Sequence, residues 1–250
     1  MAPIIKSKEE RAKIRETGRI VADVLAELQA AVHPAMTTGD LDRIGAEALK
    51  RWQAKSSSLG YHGYPKSLCT SINDEIVHGI PGERVLQEGD IVSIDFAANY
   101  NGWHADSAIT VPVGTVSPEV QRLLKVTQDS LYRGIAAARA GNRTHDISRA
   151  IQQYVEAAGF SVVRQYGGHG VGRSMHEDPQ VLNYVDPGYP GYLLKPGMVI
   201  AIEPMVNIGT KETRVLADGW TVVTDDGSYS AHFEHTVAIT EGDAEILTIP

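Results

Sequence analysis

The chain has 250 residues and carries 23 Lys plus Arg against 31 Asp plus Glu, a formal charge of −8. With 42% hydrophobic and 22% charged residues it can bury a sizeable core, which excludes a mainly disordered chain. The acidic balance excludes a stable binder of nucleic acid or anionic membrane, which needs a broad basic face.

Cys69 is the single cysteine, so no intrachain disulfide can form, and the expected compartment is the cytoplasm. The start, Met1 to Arg15, is charged and has no apolar run of signal-peptide length. No stretch of about 18 apolar residues occurs, so no membrane span is expected. Low-complexity tracts and Ser/Gly linkers are also missing, and a single catalytic domain over residues 1–250 is the expectation.

In chain order, Ser7 to about Val32 predicts an amphipathic helix, with Ile14, Ile20, Val21, Val24, Leu25 and Leu28 at helical spacing and Pro34 closing it. Thr38 to about Ala54 predicts a second. Ser117-Pro118-Glu119 is a helix start, leading to about Ala140. A fourth helix is expected from Asp146 to Ala158, stopped by Gly159. β-Branched runs predict strands at Ser67–Ile72, Ile91–Ala97, Ala108–Val113, Val199–Ile202, Trp220–Val223 and Thr236–Ile239. Helices and strands come in groups rather than in strict alternation, which points to an α+β sheet covered by helices.

The sequence also repeats. Gly89-Asp90-Ile91-Val92-Ser93-Ile94-Asp95 matches Gly197-Met198-Val199-Ile200-Ala201-Ile202-Glu203, 108 residues later. Before the copies stand His78-Gly79-Ile80 and His169-Gly170-Val171. After them stand the further acids Asp106 and Glu234. Short apolar strands resemble one another, and a chance match is the alternative; the paired turns and the paired second acids weigh against it. A carboxylate closing an apolar strand needs a cation or strong hydrogen bonds, because burying it unpaired is costly.

If Asp95, Asp106, Glu203 and Glu234 converge, their repulsion raises their pKa values unless cations lie among them. Oxygen ligands with one or two imidazoles suit manganese, iron(II), cobalt or magnesium, and no cysteine pair is available for structural zinc. Bridging carboxylates favour two ions. Such a pair activates water and polarises a carbonyl, chemistry that favours hydrolysis.

Ordered motifs then carry a resemblance. Gly60-Tyr61-His62-Gly63-Tyr64-Pro65-Lys66-Ser67, Asn73-Asp74-Glu75 through His78-Gly79-Ile80-Pro81, Gly168-His169-Gly170-Val171-Gly172 and Ile202-Glu203-Pro204 together resemble the type I methionine aminopeptidases of the bacterial short form. The resemblance covers nearly the whole chain. It implies the pita-bread fold: a curved antiparallel sheet covered by helices, in two pseudo-symmetric halves of roughly residues 60–140 and 141–250, preceded by N-terminal helices. It implies a site for two divalent ions drawn from cobalt, manganese, iron(II), nickel or zinc. In that site Asp95 chelates one ion, Asp106 and Glu234 bridge, and His169 and Glu203 hold the other.

The implied reaction is removal of the initiator methionine from nascent polypeptides when the next residue is small, near the ribosome and by a monomer. Glu203 is then the general base and acid, His78 donates a hydrogen bond near the scissile peptide, and His176 contacts the substrate carbonyl. By the same resemblance Tyr61, Tyr64, Cys69, His78 and Trp220 line the methionine pocket. Ser58 stands where many relatives have cysteine and Met175 where many have phenylalanine, which affects the pocket lining and not ligation. The 34 residues from His169 to Glu203 leave no room for the helical insertion of type II enzymes.

The remaining histidines have plainer readings. His104 precedes Asp106 by two residues and is either support for that carboxylate or solvent-exposed. His33, His62, His145, His232 and His235 are expected to be structural or on the surface, with His62 also a candidate for the substrate rim. On a strand, His235 points away from Glu234. Cys69, on an apolar strand, reads as a packing residue and not as a nucleophile.

Overall fold

The computed structural model describes residues 3–250; Met1 and Ala2, part of the charged start, lie outside the described residues. Helix α1 (Lys8–Ala31) begins at a reciprocal cap: the Ser7 hydroxyl accepts from the Glu10 amide and the Glu10 carboxylate accepts from the Ser7 amide. Thr37 and Asp40 do the same for α2 (Thr38–Trp52). After α2 come β1 (Lys55–Ser56), β2 (Cys69–Ile72) and β3 (Glu75–Val77). Then β4 (Ile91–Tyr100) and β5 (Trp103–Pro112) form a long hairpin.

Helix α3 (Pro118–Ala137) starts behind the Ser117 cap with proline in its first turn. Helix α4 (Thr144–Ala157) starts two residues earlier than the pattern predicts, because Asp146 sits inside the first turn and accepts from the Arg143 amide. The rest of the chain supplies β6 (Ser161–Val162), β7 (Gly168–Gly170), β8 (Glu177–Val181), β9 (Val199–Ile202), β10 (Met205–Asn207), β11 (Thr213–Val215), β12 (Val222–Thr224), β13 (Ser230–His232), β14 (Glu234–Ala238) and β15 (Glu245–Ile246).

The main sheet has nine strands. Its path is β1-β4-β5-β14-β9-β7-β8, with β2 paired to β4 and β15 to β14. Two three-stranded sheets, β13-β10-β6 and β11-β12-β3, complete the architecture, and the described strand pairings are antiparallel. The two matched strands of the internal repeat, β4 and β9, thus occupy equivalent places on either side of the central β5–β14 pair.

Several of the predicted strands are longer or displaced. The hairpin extends three residues beyond Asp106 toward its turn, to Trp103, and β4 runs on to Tyr100. The turn itself is Asn101-Gly102, with φ of 53° and 80°, the two positive values that a tight hairpin requires. The strand expected at Trp220–Val223 begins at Val222 instead. The Asp218 carboxylate accepts from the amides of Trp220 and Thr221 and holds them in a turn.

Apolar residues divide by parity. On β4, Val92, Ile94, Phe96 and Ala98 join the core beneath α1 and α2, with Leu25, Leu28, Leu41 and Leu49 packed against that side. Asp95, between two of these positions, therefore points to the opposite face. A second cluster packs α3 and α4 (Leu123, Leu131, Ile147, Ile151) over Ile200, Ile202 and Val237. Among the described residues no helix is long and apolar enough to cross a membrane.

Candidate active site

Strand register assembles the acids. Asp95 on β4 and Glu234 on β14 both pair with Ala108 of β5, one from each side. Cross-strand partners share a face, and Asp106, two residues along β5, shares it too. The pairing of His235 with Ile202 then brings Glu203, the next residue after β9, beside Glu234. The histidine of the fifth position comes from β7, which pairs with β9 through Gly170 and Ile200.

Each His-Gly turn is needed for close backbone approach. A Cβ on Gly79 would lie 2.1 Å from the Thr70 carbonyl oxygen, and one on Gly170 would lie 2.3 Å from that of Asp178. His78 itself has a φ of 62°, an uncommon conformation for a residue other than glycine, and its ring packs edge-on against Trp220 and Tyr166.

One cavity of about 170 Å³ gathers these groups. It is lined by Asp95, Asp106, His169, Glu203 and Glu234, by His78 and His176, and by Ser58, Tyr61, Tyr64, Cys69, Met175 and Trp220. The candidate ligands, catalytic residues and pocket residues named from the sequence all line this space, whereas the rim candidate His62 does not. The aromatic wall is ordered by contacts. Tyr64 stacks edge-on against Trp220 at 5.0 Å and donates its hydroxyl to the Gly79 carbonyl at 2.8 Å. His176 is exposed at the mouth, its Nδ1 lying 2.8 Å from the Tyr61 hydroxyl and its ring centroid 4.0 Å from that of His169.

The polar floor is starved of partners. Asp106, His169 and Glu234 are buried and each places a ligand atom within 4.8 Å of the others. Asp106 Oδ1 and Glu234 Oε1 have no hydrogen-bond partner. Burial, followed by repulsion from neighbouring carboxylates, raises the pKa values of Asp106, Glu203 and Glu234, and burial raises that of Asp95. His169 is pushed down to about 4 by burial. Its Nδ1 lies 2.9 Å from the Gly170 carbonyl, which can only accept, so Nδ1 carries the proton and Nε2 keeps its lone pair, 3.7 Å from Glu203 Oε1. A neutral imidazole with a fixed tautomer and orphaned carboxylate oxygens fit a hard or borderline divalent cation, which would supply the missing partners.

The sequence matches the model of metallopeptidase family M24 over residues 12–241. The chain belongs to metallopeptidase family M24. It is 53% identical over 245 residues to methionine aminopeptidase 1 of Bacillus subtilis, covering 98% of both chains. It is 48% identical over 251 residues to the methionine aminopeptidase of Escherichia coli, covering 100% of this chain and 95% of that one. The crystal structure of methionine aminopeptidase from Thermotoga maritima superposes with a TM-score of 0.97 at 44% identity over the full length of both chains. The pita-bread fold of this M24 group is therefore the fold of the chain.

The other histidines of this M24 chain sort differently from their sequence readings in two cases, His104 and His232. His104 is half-buried and held in hydrogen bonds, with Nδ1 2.7 Å from Ser57 Oγ and Nε2 2.7 Å from Asn99 Nδ2, and it is not bonded to Asp106. His62 is exposed and packs edge-on against Tyr61 at 4.4 Å. His235 faces away from Glu234, toward Thr248 at 2.9 Å. His232, expected to be merely structural or on the surface, is 1% exposed and lies beside Glu203 and Glu234. Its spacing two residues before Glu234 was the available signal.

Proposed function

We infer that this protein hydrolyses the peptide bond after an N-terminal methionine, acting on new polypeptides whose second residue is small. The observation that carries the reading is the joining, in one small cavity, of a buried acid–imidazole cluster to an aromatic wall. The full-length likeness to proteins named methionine aminopeptidase supports it.

Asp95, Asp106, His169, Glu203 and Glu234 would hold two divalent ions, with manganese, cobalt, iron(II), nickel and zinc all compatible with the donor set. When bound, the ions supply Lewis acidity and lower the pKa of water. The protein's own groups do the rest. Tyr64, Cys69, His78 and Trp220 enclose the thioether side chain in a largely apolar wall. The carboxylate-rich floor attracts the free α-amine, so a chain's first residue is favoured over an internal one.

Glu203 takes the proton of the attacking water at its carboxylate and returns it to the departing amine. His176, at the mouth and steadied by Tyr61, donates to the substrate carbonyl as negative charge develops there. His78 donates a hydrogen bond near the scissile peptide. The matched strands on either side of the β5–β14 pair support two related halves within a single domain, with the chemistry where they meet. The lone buried Cys69 supports action in the cytoplasm, where nascent chains are met near the ribosome, and the family resemblance supports a monomer.

The test is a Met-Ala-Ser peptide with added manganese or cobalt. Free methionine should appear, and chelator or Glu203→Ala should abolish it. An intact Met-Ala-Ser peptide alongside cleavage of an Xaa-Pro peptide would replace this reading with an aminopeptidase P activity.

A further inference from the structure

His232 ends β13, and its backbone is fixed on both sides by one side chain. Its amide donates to Thr110 Oγ1 at 2.8 Å, and the Thr110 hydroxyl donates to its carbonyl at 2.7 Å. Its backbone also pairs with Met205 across β10. The backbone from which the ring projects is therefore fixed. The ring is almost wholly buried, and neither Nδ1 nor Nε2 has a hydrogen-bond partner.

A buried imidazole with both nitrogens unsatisfied is costly. Two carboxylate oxygens stand within 4.0 Å of its outer nitrogen. Nε2 is 3.8 Å from Glu203 Oε2 and 4.0 Å from Glu234 Oε2. Glu203 thus lies between two imidazoles, with Oε1 toward His169 and Oε2 toward His232. Each separation exceeds a hydrogen bond by about 1 Å, a distance that a small rotation of a glutamate side chain spans.

We propose that His232 is a positioning residue of the metal centre, donating from Nε2 to the outer oxygens of Glu203 and Glu234 and so presenting their other oxygens to the ions. The proposal rests on the metal reading above. Ligating groups are commonly oriented by such outer hydrogen bonds, and losing one weakens metal affinity by about 10- to 100-fold. His232 has the features of that role: a fixed backbone, a buried ring, a free donor, and two ligand carboxylates within reach.

The experiment is calorimetric titration of the full chain with Mn²⁺, and the visible absorption spectrum of the Co²⁺-loaded chain, for wild type, His232→Leu and His232→Gln. Circular dichroism of the ion-free variants checks the fold. His232→Leu should bind Mn²⁺ about 10- to 100-fold more weakly and shift the Co²⁺ bands. His232→Gln keeps an N–H donor and should retain affinity to within a few-fold even if the leucine variant fails to fold. Wild-type affinity and spectrum in folded His232→Leu would overturn the proposal, while leaving the metal reading intact. Loss in His232→Gln as complete as in His232→Leu would overturn the donor role in favour of direct ligation. A wild-type chain that binds no ion would overturn the metal reading and this proposal with it.

Discussion

The Lys6 ammonium and the Glu177 carboxylate meet at 2.7 Å, across 171 residues of sequence, with only 2% and 7% of their side chains exposed. The pair joins the segment before α1 to the residue that follows His176. Glu177 also accepts from the Ser174 amide at 3.2 Å, and the Lys6 amide donates to the Gly197 carbonyl at 2.8 Å. The loop that carries His176 is thereby clamped from the chain's other end.

Removing one partner of such a pair leaves a buried charge uncompensated. Lys6→Met should therefore cost about 3–5 kcal/mol of folding stability, read by urea denaturation. The variant should also turn over Met-Ala-Ser more slowly, because the His176 loop loses its brace. A stability within 1 kcal/mol of wild type would show that Glu177 finds another partner or water.

His176 and the ligand set should separate cleanly. His176→Ala removes a contact to developing charge and no ligand, so turnover should fall by about 100- to 1,000-fold with metal content unchanged. Asp106→Ala should lose metal and activity together. Elemental analysis of the dialysed proteins distinguishes the two, and metal loss from His176→Ala would refute the role given to it.

The ion-free protein should become less stable as pH rises. Burial and mutual repulsion raise the carboxyls of Asp106, Glu203 and Glu234 above their unfolded values, Glu203 to about 8. The folded state then holds protons that the unfolded state has released, so stability falls as pH climbs through that window. Burial depresses His169 to about 4 and His232 to about 3, so these rings are neutral in the fold throughout the upper part of the window. Melting in the presence of chelator should occur at lower temperature at pH 8 than at pH 6.5. Excess Mn²⁺ should raise Tm at both, and more at pH 8, where protons compete less for the carboxylates. A chelated Tm that rises over this interval would contradict the buried-carboxylate geometry.

Cys69 should behave as a packing residue. It is 6% exposed, and burial, reinforced by the negative charge of Asp95, holds its thiol well above the ordinary range. Iodoacetamide at pH 8 should label it only after unfolding in urea. Rapid labelling of the native chain would place the thiolate in open solvent and contradict the wall assignment.

Much of the site was legible along the chain because acids that follow apolar runs are conspicuous, and Asp95 and Glu203 do so at matched positions, although β4 continues past Asp95 to Tyr100. The hairpin's full length was less legible. Asn101-Gly102 is a strong turn signal, but the β-branched run that predicts the second strand starts only at Ala108, while Trp103, Ala105 and Asp106 reach the turn through backbone pairing. Helix boundaries near α4 moved for a similar reason: Asp146 acts through a backbone hydrogen bond that the apolar pattern does not record.

His104 and His232 mark where the sequence stops. Each stands two residues before an acid of the site, Asp106 in one case and Glu234 in the other. Alone, the sequence determined which acids follow apolar runs, which turns require glycine, and which residue types can bind a divalent ion. It could not separate these two histidines, because spacing sets only a side chain's face. The tertiary structure did: Ser57 and Asn99 engage both nitrogens of His104, while β13 carries His232 into a space beside Glu203 and Glu234. What an imidazole does depends on which atoms from distant strands lie within a few ångströms, and chain packing alone decides that.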